Sequence, residues 1–213
     1  MHNEQEIGQN ATTEEKIKEA ARRVFTSKGY AGTRTRDIAE ESGFNLALIN
    51  YYFRSKERLF DLIMVEYLQT FIHSIIGMLD DRETSLREKV RLLVGHYIDM
   101  LIKNPDLPMF ILREVQTDPA KLVEKLRFDE SHNALYIVTQ WKEIAARRKG
   151  PAIDPVHMLM NAISLTVFPF IAGPMLRNRT GLSIEEFNEL MEQRKKMIPV
   201  WLHAIMMSMD DIT

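Results

Sequence analysis

The apolar residues of this chain recur at helical spacing almost from end to end, and no proline occurs before Pro105. Ile17, Ala20, Ala21 and Val24 show the i, i+3, i+4, i+7 pattern of an amphipathic helix. Alternation with a period of two, which is typical of a half-buried strand, never continues for more than a few residues. The sequence therefore predicts an all-α fold.

Capping residues predict where the helices begin and end. Thr12, followed three residues later by Glu15, forms a capping box that would begin the first helix, and Gly29 would end it. Residues 1–11 are polar, and we expect them to form a flexible tail. The long helices predicted after residue 55 span about 56–77, 86–103, 119–149, 156–176 and 183–209.

Residues 12–56 have the pattern of a compact N-terminal module, joined to a larger helical body at 57–213. Thr33 can cap a short helix, and Gly43 lies where a tight turn between two helices requires a positive φ. Asn45 can cap a second short helix over residues 46–53. Together these signals predict a helix-turn-helix within a three-helix domain, in which residues 46–52 form the helix that enters the DNA major groove.

The charge distribution favours a local nucleic-acid site over a chain that coats DNA. Thirty acidic and 28 basic residues leave a net charge of −2. Residues 12–60, however, contain ten basic and seven acidic side chains, a local excess of three positive charges. The module therefore has the sign of charge that phosphates attract.

The sequence offers no chemistry for catalysis or metal binding. With no cysteine, the chain has no disulfide, no thiolate ligand for zinc and no cysteine nucleophile. The six histidines are too scattered for a metal pair on one helix, and no Gly-rich phosphate loop or hydrolase motif occurs. We therefore expect no enzyme activity, no cofactor and no metal site.

Many separated residues of the module share a characteristic order and spacing: Gly29-Tyr30, Thr33, Arg36-Asp37-Ile38-Ala39, Gly43, Ile49, Tyr51-Tyr52-Phe53 and Ser55-Lys56-Glu57. In these residues the segment from about Thr12 to Met64 resembles the TetR family of transcriptional regulators. The resemblance implies a homodimer that binds a palindromic operator in double-stranded DNA through its N-terminal domains. It also implies that a small molecule bound by the helical C-terminal domain releases the DNA.

The resemblance implies a set of DNA-contacting residues. Arg36 would reach a base or a phosphate, with a solvated surface arginine as the alternative, and Asn50 could pair with adenine. Leu48 could touch a thymine methyl or pack in the core, and Tyr52 would be a partly buried phosphate contact. Because Leu46 stands where a polar or basic residue is common, DNA shape would carry part of the specificity. The full set is Thr33, Arg36, Asn45, Leu46, Ala47, Leu48, Asn50, Tyr51, Tyr52 and Lys56.

The body contains a charge-free stretch at residues 158–176 that approaches the length of a membrane span. Its polar residues, among them Asn161, Ser164 and Thr166, favour burial inside a protein or an oligomer interface instead. The resemblance implies that the last two long helices, at about 156–176 and 183–209, pair with those of a second subunit. We expect a cytoplasmic homodimer without a membrane partner.

A ligand pocket is expected among the middle helices, where aromatic and methionine side chains occur with a few polar groups. The candidates are Phe71, His96, Tyr97, Met100, Phe110, Glu114, His132, Tyr136 and Asn161. Each of them could instead be an ordinary core or surface residue. The thirteen methionines favour a largely apolar effector, whose identity the sequence leaves open.

These observations predict a ligand-responsive DNA-binding regulator. Repression is the default that the resemblance implies, and activation is an alternative within the same family. A helical protein-interaction module is the alternative outside it.

Overall fold

The computed structural model describes residues 2–126, 135–146 and 154–208. Within these ranges the chain forms ten helices and no strand, so the predicted all-α fold is confirmed. The helices are α1 (His2–Gly32), α2 (Thr35–Ser42), α3 (Leu46–Phe53), α4 (Lys56–Asp80), α5 (Leu86–Lys103), α6 (Leu107–Thr117), α7 (Pro119–Leu126), α8 (Tyr136–Ala146), α9 (Pro155–Thr180) and α10 (Ile184–Ser208).

The first helix differs from the prediction at its start and agrees with it at its end. The backbone is helical from His2, so the expected beginning at Thr12 is wrong. Residues 2–11 include several Glu and Gln and no proline, and nothing in them forces the helix to stop. Gly29 has a φ of 67°, which bends the chain out of the straight helix as expected.

Buried apolar side chains hold the N-terminal module together, and they continue into the core of the body. Ile17, Ala21 and Phe25 of α1 are buried, as are Ile38 of α2 and Ile49 of α3. These residues belong to one hydrophobic cluster with the first turns of α4. The short helices are therefore held by shared burial, which is the main stabilising term for helices of this length.

Helix α4 joins the module to the body. Leu59 and Phe60 in its first half are buried with the module, and Leu68 and Phe71 in its second half are buried within the body. The predicted bridging helix is thus present, and it ends at Asp80, three residues beyond the expected Gly77.

The middle of the body departs from the prediction in two places. The single helix expected over 119–149 is wrong, because Leu135, directly before α8, is not helical. A further helix, α6, was not predicted; it tolerates Pro108 because proline in the first turn removes no hydrogen bond of the helix. A capping box begins α10, since Ser183 and Glu186 accept each other's backbone N–H at 3.1 and 2.8 Å.

Two helices, α4 and α9, are long and apolar enough to cross a bilayer by length and composition alone. Both are packed among other helices: α4 against α1, α5 and α7, and α9 against α5, α6 and α10. Only 22% of the apolar window of each helix is buried by these contacts, so packing within one chain accounts for part of this composition.

Pro169 inside α9 frees a backbone carbonyl that α10 contacts. Proline lacks an N–H, so the carbonyl of Leu165, four residues earlier, loses its helical partner. The Arg194 guanidinium of α10 donates to that carbonyl at 2.7 Å and lies 5.2 Å from the ring of Trp201. Arg194 thus replaces the hydrogen bond that Pro169 removes.

We predict that Arg194→Met lowers the free energy of unfolding by about 1–3 kcal/mol, because the Leu165 carbonyl is left unsatisfied. In a Pro169→Ala background the cost should be smaller, since the alanine introduced there has a backbone N–H that can bond the same carbonyl. Urea unfolding of the four proteins at one fixed concentration measures this coupling. Exposed Lys196→Met is the control, and equal losses in both backgrounds would contradict the assignment.

Candidate nucleic-acid interface

The start of α2 is set by Arg34 and Asp37. The Arg34 N–H donates to Asp37 Oδ2 at 2.6 Å, which closes the first turn. This bond, together with one from Lys28, holds the pKa of Asp37 below its usual value. The expected cap at Thr33 is therefore wrong, because Arg34 occupies that position.

Thr33 and Lys56, both expected to contact phosphate, are engaged within the protein. Thr33 is buried, and its hydroxyl donates to the Gly29 carbonyl at 2.7 Å. Lys56 Nζ donates to the carbonyls of Tyr30 and Thr33, each at 2.9 Å, and lies 4.1 Å from the centre of the Tyr30 ring. The two residues hold the end of α1 against α4, so they position the module.

The turn and the cap of α3 follow the prediction. Gly43 has a φ of 72°, a conformation that other residues adopt only at a cost. Asn45 Oδ1 accepts from the Leu48 N–H at 2.9 Å and begins the helix. Ile49 and Phe53, one turn apart, are buried and anchor α3 on the module.

The opposite side of α3 faces solvent. Ala47, Asn50 and Tyr51 are exposed, and Tyr51 is 77% accessible, whereas Leu46 and Leu48 are half-buried. With its side chains an α-helix is about 10–12 Å across, which fits the width of the major groove, about 12 Å. Shape and exposure therefore permit this face to enter DNA.

The two tyrosines at the end of α3 occupy different environments. Their rings meet edge to face with centres 5.4 Å apart, and Tyr52 also contacts Phe53. Tyr52 is half-buried, as the prediction of a partly buried phosphate contact requires. The ring of Tyr51 is thus exposed, whereas the ring of Tyr52 is held in place by its neighbours.

Ion pairs distinguish two groups of basic residues in the module. Four residues of α1 are paired with carboxylates: Lys18–Glu66 at 2.9 Å, Arg22–Glu15 at 3.0 Å, Arg23–Glu41 at 2.7 Å and Lys28–Asp37 at 3.0 Å. Among the described residues of the module and the first turn of α4, four exposed arginines have no carboxylate within 4 Å: Arg34, Arg36, Arg54 and Arg58. Three of these were missed among the predicted contacts, because a residue count does not show which charges are neutralised.

A separate apolar cavity of about 320 Å³ lies in the body between α4, α5, α6, α7 and α9. Phe71 and Tyr97, both predicted ligand contacts, line it with their rings 4.8 Å apart. Burial raises the pKa of the Tyr97 hydroxyl. The cavity has the size and lining of a small-molecule site.

The other predicted ligand contacts that fall within the described residues do not line this cavity. His96 lies in a polar groove between α5 and α10, while Met100 and Phe110 are core residues. Glu114 pairs with Lys125, the ring of Tyr136 lies against Lys89, and Asn161 is half-buried on α9. His132 falls outside the described residues.

Helix α6 touches both the cavity and the N-terminal module. Ile111 lines the cavity, and Asp106 before the helix accepts the Tyr30 N–H at 2.6 Å. Arg113 pairs with Asp61 of α4. Burial nevertheless raises the pKa of the Asp61 carboxyl above its usual value. A displacement of α6 can therefore reach the end of α1 and the first half of α4.

No metal site accompanies this arrangement in the part of the chain that the structure describes. There, no three His, Cys, Asp or Glu side chains are grouped so that they could hold an ion.

Comparison with known proteins identifies a family for the N-terminal module. Residues 17–63 match the sequence model of the bacterial regulatory proteins of the tetR family. The chain is 26% identical over 162 residues to the "Probable HTH-type transcriptional regulator YttP" of Bacillus subtilis (strain 168), covering 75% of this chain and 78% of that protein. It is 24% identical over 192 residues to the HTH-type transcriptional regulator RutR of Escherichia coli (strain K12), covering 85% and 86%.

A solved structure shares the whole fold. The transcriptional regulator FadR from Bacillus subtilis in complex with stearoyl-CoA aligns with a TM-score of 0.54 and 17% identity, over 86% of this chain and 96% of that one. At this identity the likeness shows the arrangement of helices.

We predict that Lys56→Met lowers the free energy of unfolding by about 1–3 kcal/mol, because it removes two charge-assisted hydrogen bonds. Arg58→Met, an exposed neighbour on the same helix, should change it by less than about 0.5 kcal/mol. Thermal or urea unfolding measures both variants. If Lys56→Met keeps the stability of the wild type and flattens the salt dependence of DNA binding, Lys56 contacts phosphate instead.

Proposed function

Since the chain belongs to the tetR family of bacterial DNA-binding transcriptional regulators, we propose that it represses transcription as a homodimer on a palindromic operator. A small molecule bound in the body then releases the DNA. The site of action is the cytoplasm, where the operator DNA is accessible.

The exposed face of α3 and the four unpaired arginines carry the DNA-binding part of the proposal. Arg36 can bond guanine in a bidentate manner, and Asn50 can bond adenine. Arg34, Arg54 and Arg58 suit phosphates, because their charges are not neutralised by nearby carboxylates. The buried side of α3 fixes the helix behind this surface, so that little order has to be gained on binding.

Thr33 and Lys56 act in this proposal as positioning residues. Tyr51 and Tyr52 remain proposed contacts to the sugar-phosphate backbone. Asn45, Leu46, Ala47 and Leu48 lie at the beginning of α3, the part of a recognition helix that approaches base edges. The small or apolar side chains among them can touch thymine methyl groups, and DNA shape supplies further specificity.

The exposed apolar residues of α9 and α10 support a second copy of this chain as the partner. On α9, Val156 and Met160 are exposed one turn apart, and the exposed Phe168 and Met175 lie seven residues apart. Ile184, Leu190, Met197 and Val200 are exposed on α10. A surface of this extent is rare on a monomer and fits a symmetric four-helix interface.

The apolar cavity supports a largely apolar effector. It shares α4 with the N-terminal module, and α6 connects its wall to Tyr30 through Asp106. A ligand that favours another position of α4 and α6 would change the distance between the two modules of a dimer. The structurally similar FadR was solved with stearoyl-CoA, and a long acyl ligand in a protein with this arrangement of helices supports the same class of effector here.

We predict that selection from random DNA yields a palindrome, and that Arg36→Ala weakens binding to it about tenfold or more, as a lost base contact worth about 1–3 kcal/mol requires. Arg87→Ala, an exposed arginine of the body, should bind as the wild type does. Fluorescence anisotropy at several salt concentrations measures both. Binding without sequence preference or salt dependence would favour a protein-interaction module instead.

We predict that the wild type sediments as a dimer and that Phe168→Glu and Met175→Glu, tested separately, shift it to monomer. A buried carboxylate without a counter-ion is costly, and the symmetry of the interface doubles that cost. Met109→Glu, on a similarly exposed residue of α6, should remain dimeric. Monomeric wild type, or dimeric α9 variants, would exclude this interface.

A further inference from the structure

Arg54 is the one residue other than glycine that has a positive φ within the described ranges 2–126, 135–146 and 154–208. Its backbone has a φ of 60° and a ψ of −38°. The other positive-φ residues in these ranges are Gly29, Gly43 and Gly181. A side chain at such a φ lowers stability, because its Cβ crowds the backbone. Arginine therefore stands at a position of the kind that this chain otherwise fills with glycine.

The turn that requires this conformation joins α3 to α4 in two residues. The Arg54 N–H donates to the Asn50 carbonyl at 2.9 Å, which is the last bond of α3. The Ser55 N–H donates to the Phe53 carbonyl at 2.7 Å and closes a three-residue turn centred on Arg54. A γ-turn of this hand, with a positive φ at its centre, is rare and strained. The chain therefore changes direction at a single residue.

The elements on both sides hold this turn in place. Phe53 is buried at the end of α3, and Leu59 is buried in the first turns of α4. Ser55 Oγ accepts the Arg58 N–H at 3.1 Å and begins α4. A return of Arg54 to a negative φ would displace one of these anchors.

The side chain of Arg54 makes no contact in the described part of the chain that would offset the strain. It is exposed, and no described carboxylate lies within 4 Å of it. No described hydrogen-bond acceptor or aromatic ring partners its guanidinium either. An exposed guanidinium is therefore what arginine supplies at this turn and glycine does not.

The place of Arg54 relates this guanidinium to the candidate DNA surface. Arg54 follows α3 directly, beyond the exposed Asn50 and Tyr51. The beginning of a recognition helix approaches base edges, so its end is the part that remains for the sugar-phosphate backbone. A guanidinium bonds a phosphate through two parallel N–H donors, and a phosphate is therefore the group in DNA that suits this position.

We propose that the strained turn at Arg54 holds its guanidinium against an operator phosphate, so that this residue lowers stability and raises DNA affinity. The inference rests on the proposed function, in that α3 enters the operator. It assigns opposite effects on folding and on binding to one side chain. A glycine at position 54 would favour the fold and weaken the complex.

Arg54→Gly separates the two effects. Relief of the strain should raise the Tm by about 2–4 °C. Loss of the guanidinium should weaken binding to the selected operator about fivefold or more. The slope of log K against log salt concentration should become shallower by about 2, because each protomer of the dimer loses one phosphate contact. Thermal unfolding and fluorescence anisotropy measure these quantities.

Two further substitutions at the same position distinguish charge from backbone strain. Arg54→Lys keeps the charge and the Cβ, so both its Tm and its salt slope should stay close to those of the wild type. Arg54→Ala keeps the Cβ and loses the charge, so it should lose the same salt slope as Arg54→Gly without the gain in Tm. Exposed Arg87→Gly, inside α5, is the matched control for glycine. It should lower the Tm by about 2–4 °C and leave DNA binding unchanged.

The outcomes separate this inference from the proposed function. An unchanged salt slope in Arg54→Gly and Arg54→Ala would overturn the phosphate contact, and a Tm of Arg54→Gly at or below that of Arg54→Ala would overturn the strain. Either result would leave the proposed function intact if the wild type still selects a palindrome. A wild type that binds no DNA would refute both. If Arg54→Gly fails to fold by circular dichroism, the strain is refuted and the salt slope of Arg54→Ala decides the phosphate contact.

Discussion

The structure depends on the burial of one helix, α4, in two places. Leu59 and Ile63 complete the core of the N-terminal module, and Leu68 and Phe71 belong to the core of the body. Leu68 and Phe71 also line the cavity. Because a helix transmits displacement along its axis, a change at the cavity wall can alter the position of the module without unfolding either part.

Tyr30 lies at a junction between the N-terminal module and the body. Its carbonyl accepts from Lys56, its N–H donates to Asp106, and its ring packs against Phe60 with centres 4.7 Å apart. These contacts join the end of α1 to both α4 and α6. Lys56 is engaged at this junction, and in the proposed function it fixes the position from which α3 would read DNA.

The body combines a surface suited to a partner with an interior suited to a ligand. Pro169 and Arg194 show how the two long helices stay together, as a side chain of α10 satisfies the carbonyl that proline frees on α9. Their outer faces remain apolar, which is the condition for symmetric pairing. Leu159, Ala162, Ile163 and Thr166 of α9 line the cavity, so in the proposed dimer this helix would border both the ligand and the interface.

Local spacing and single-residue conformational preferences decide several features, which were therefore predictable. These are the helical class, the tight turn at Gly43, the caps at Asn45 and Ser183 and the burial of Ile49. Tertiary packing decided the rest. Only the fold shows that the Lys56 amine bonds the backbone at the end of α1 and that most basic residues of α1 are neutralised while Arg34 and Arg54 are not. Only the fold shows, too, that Lys89 is buried with its amine on the Leu79 carbonyl. These outcomes depend on which distant residues come within a few ångströms, and sequence spacing along one chain carries no such distances.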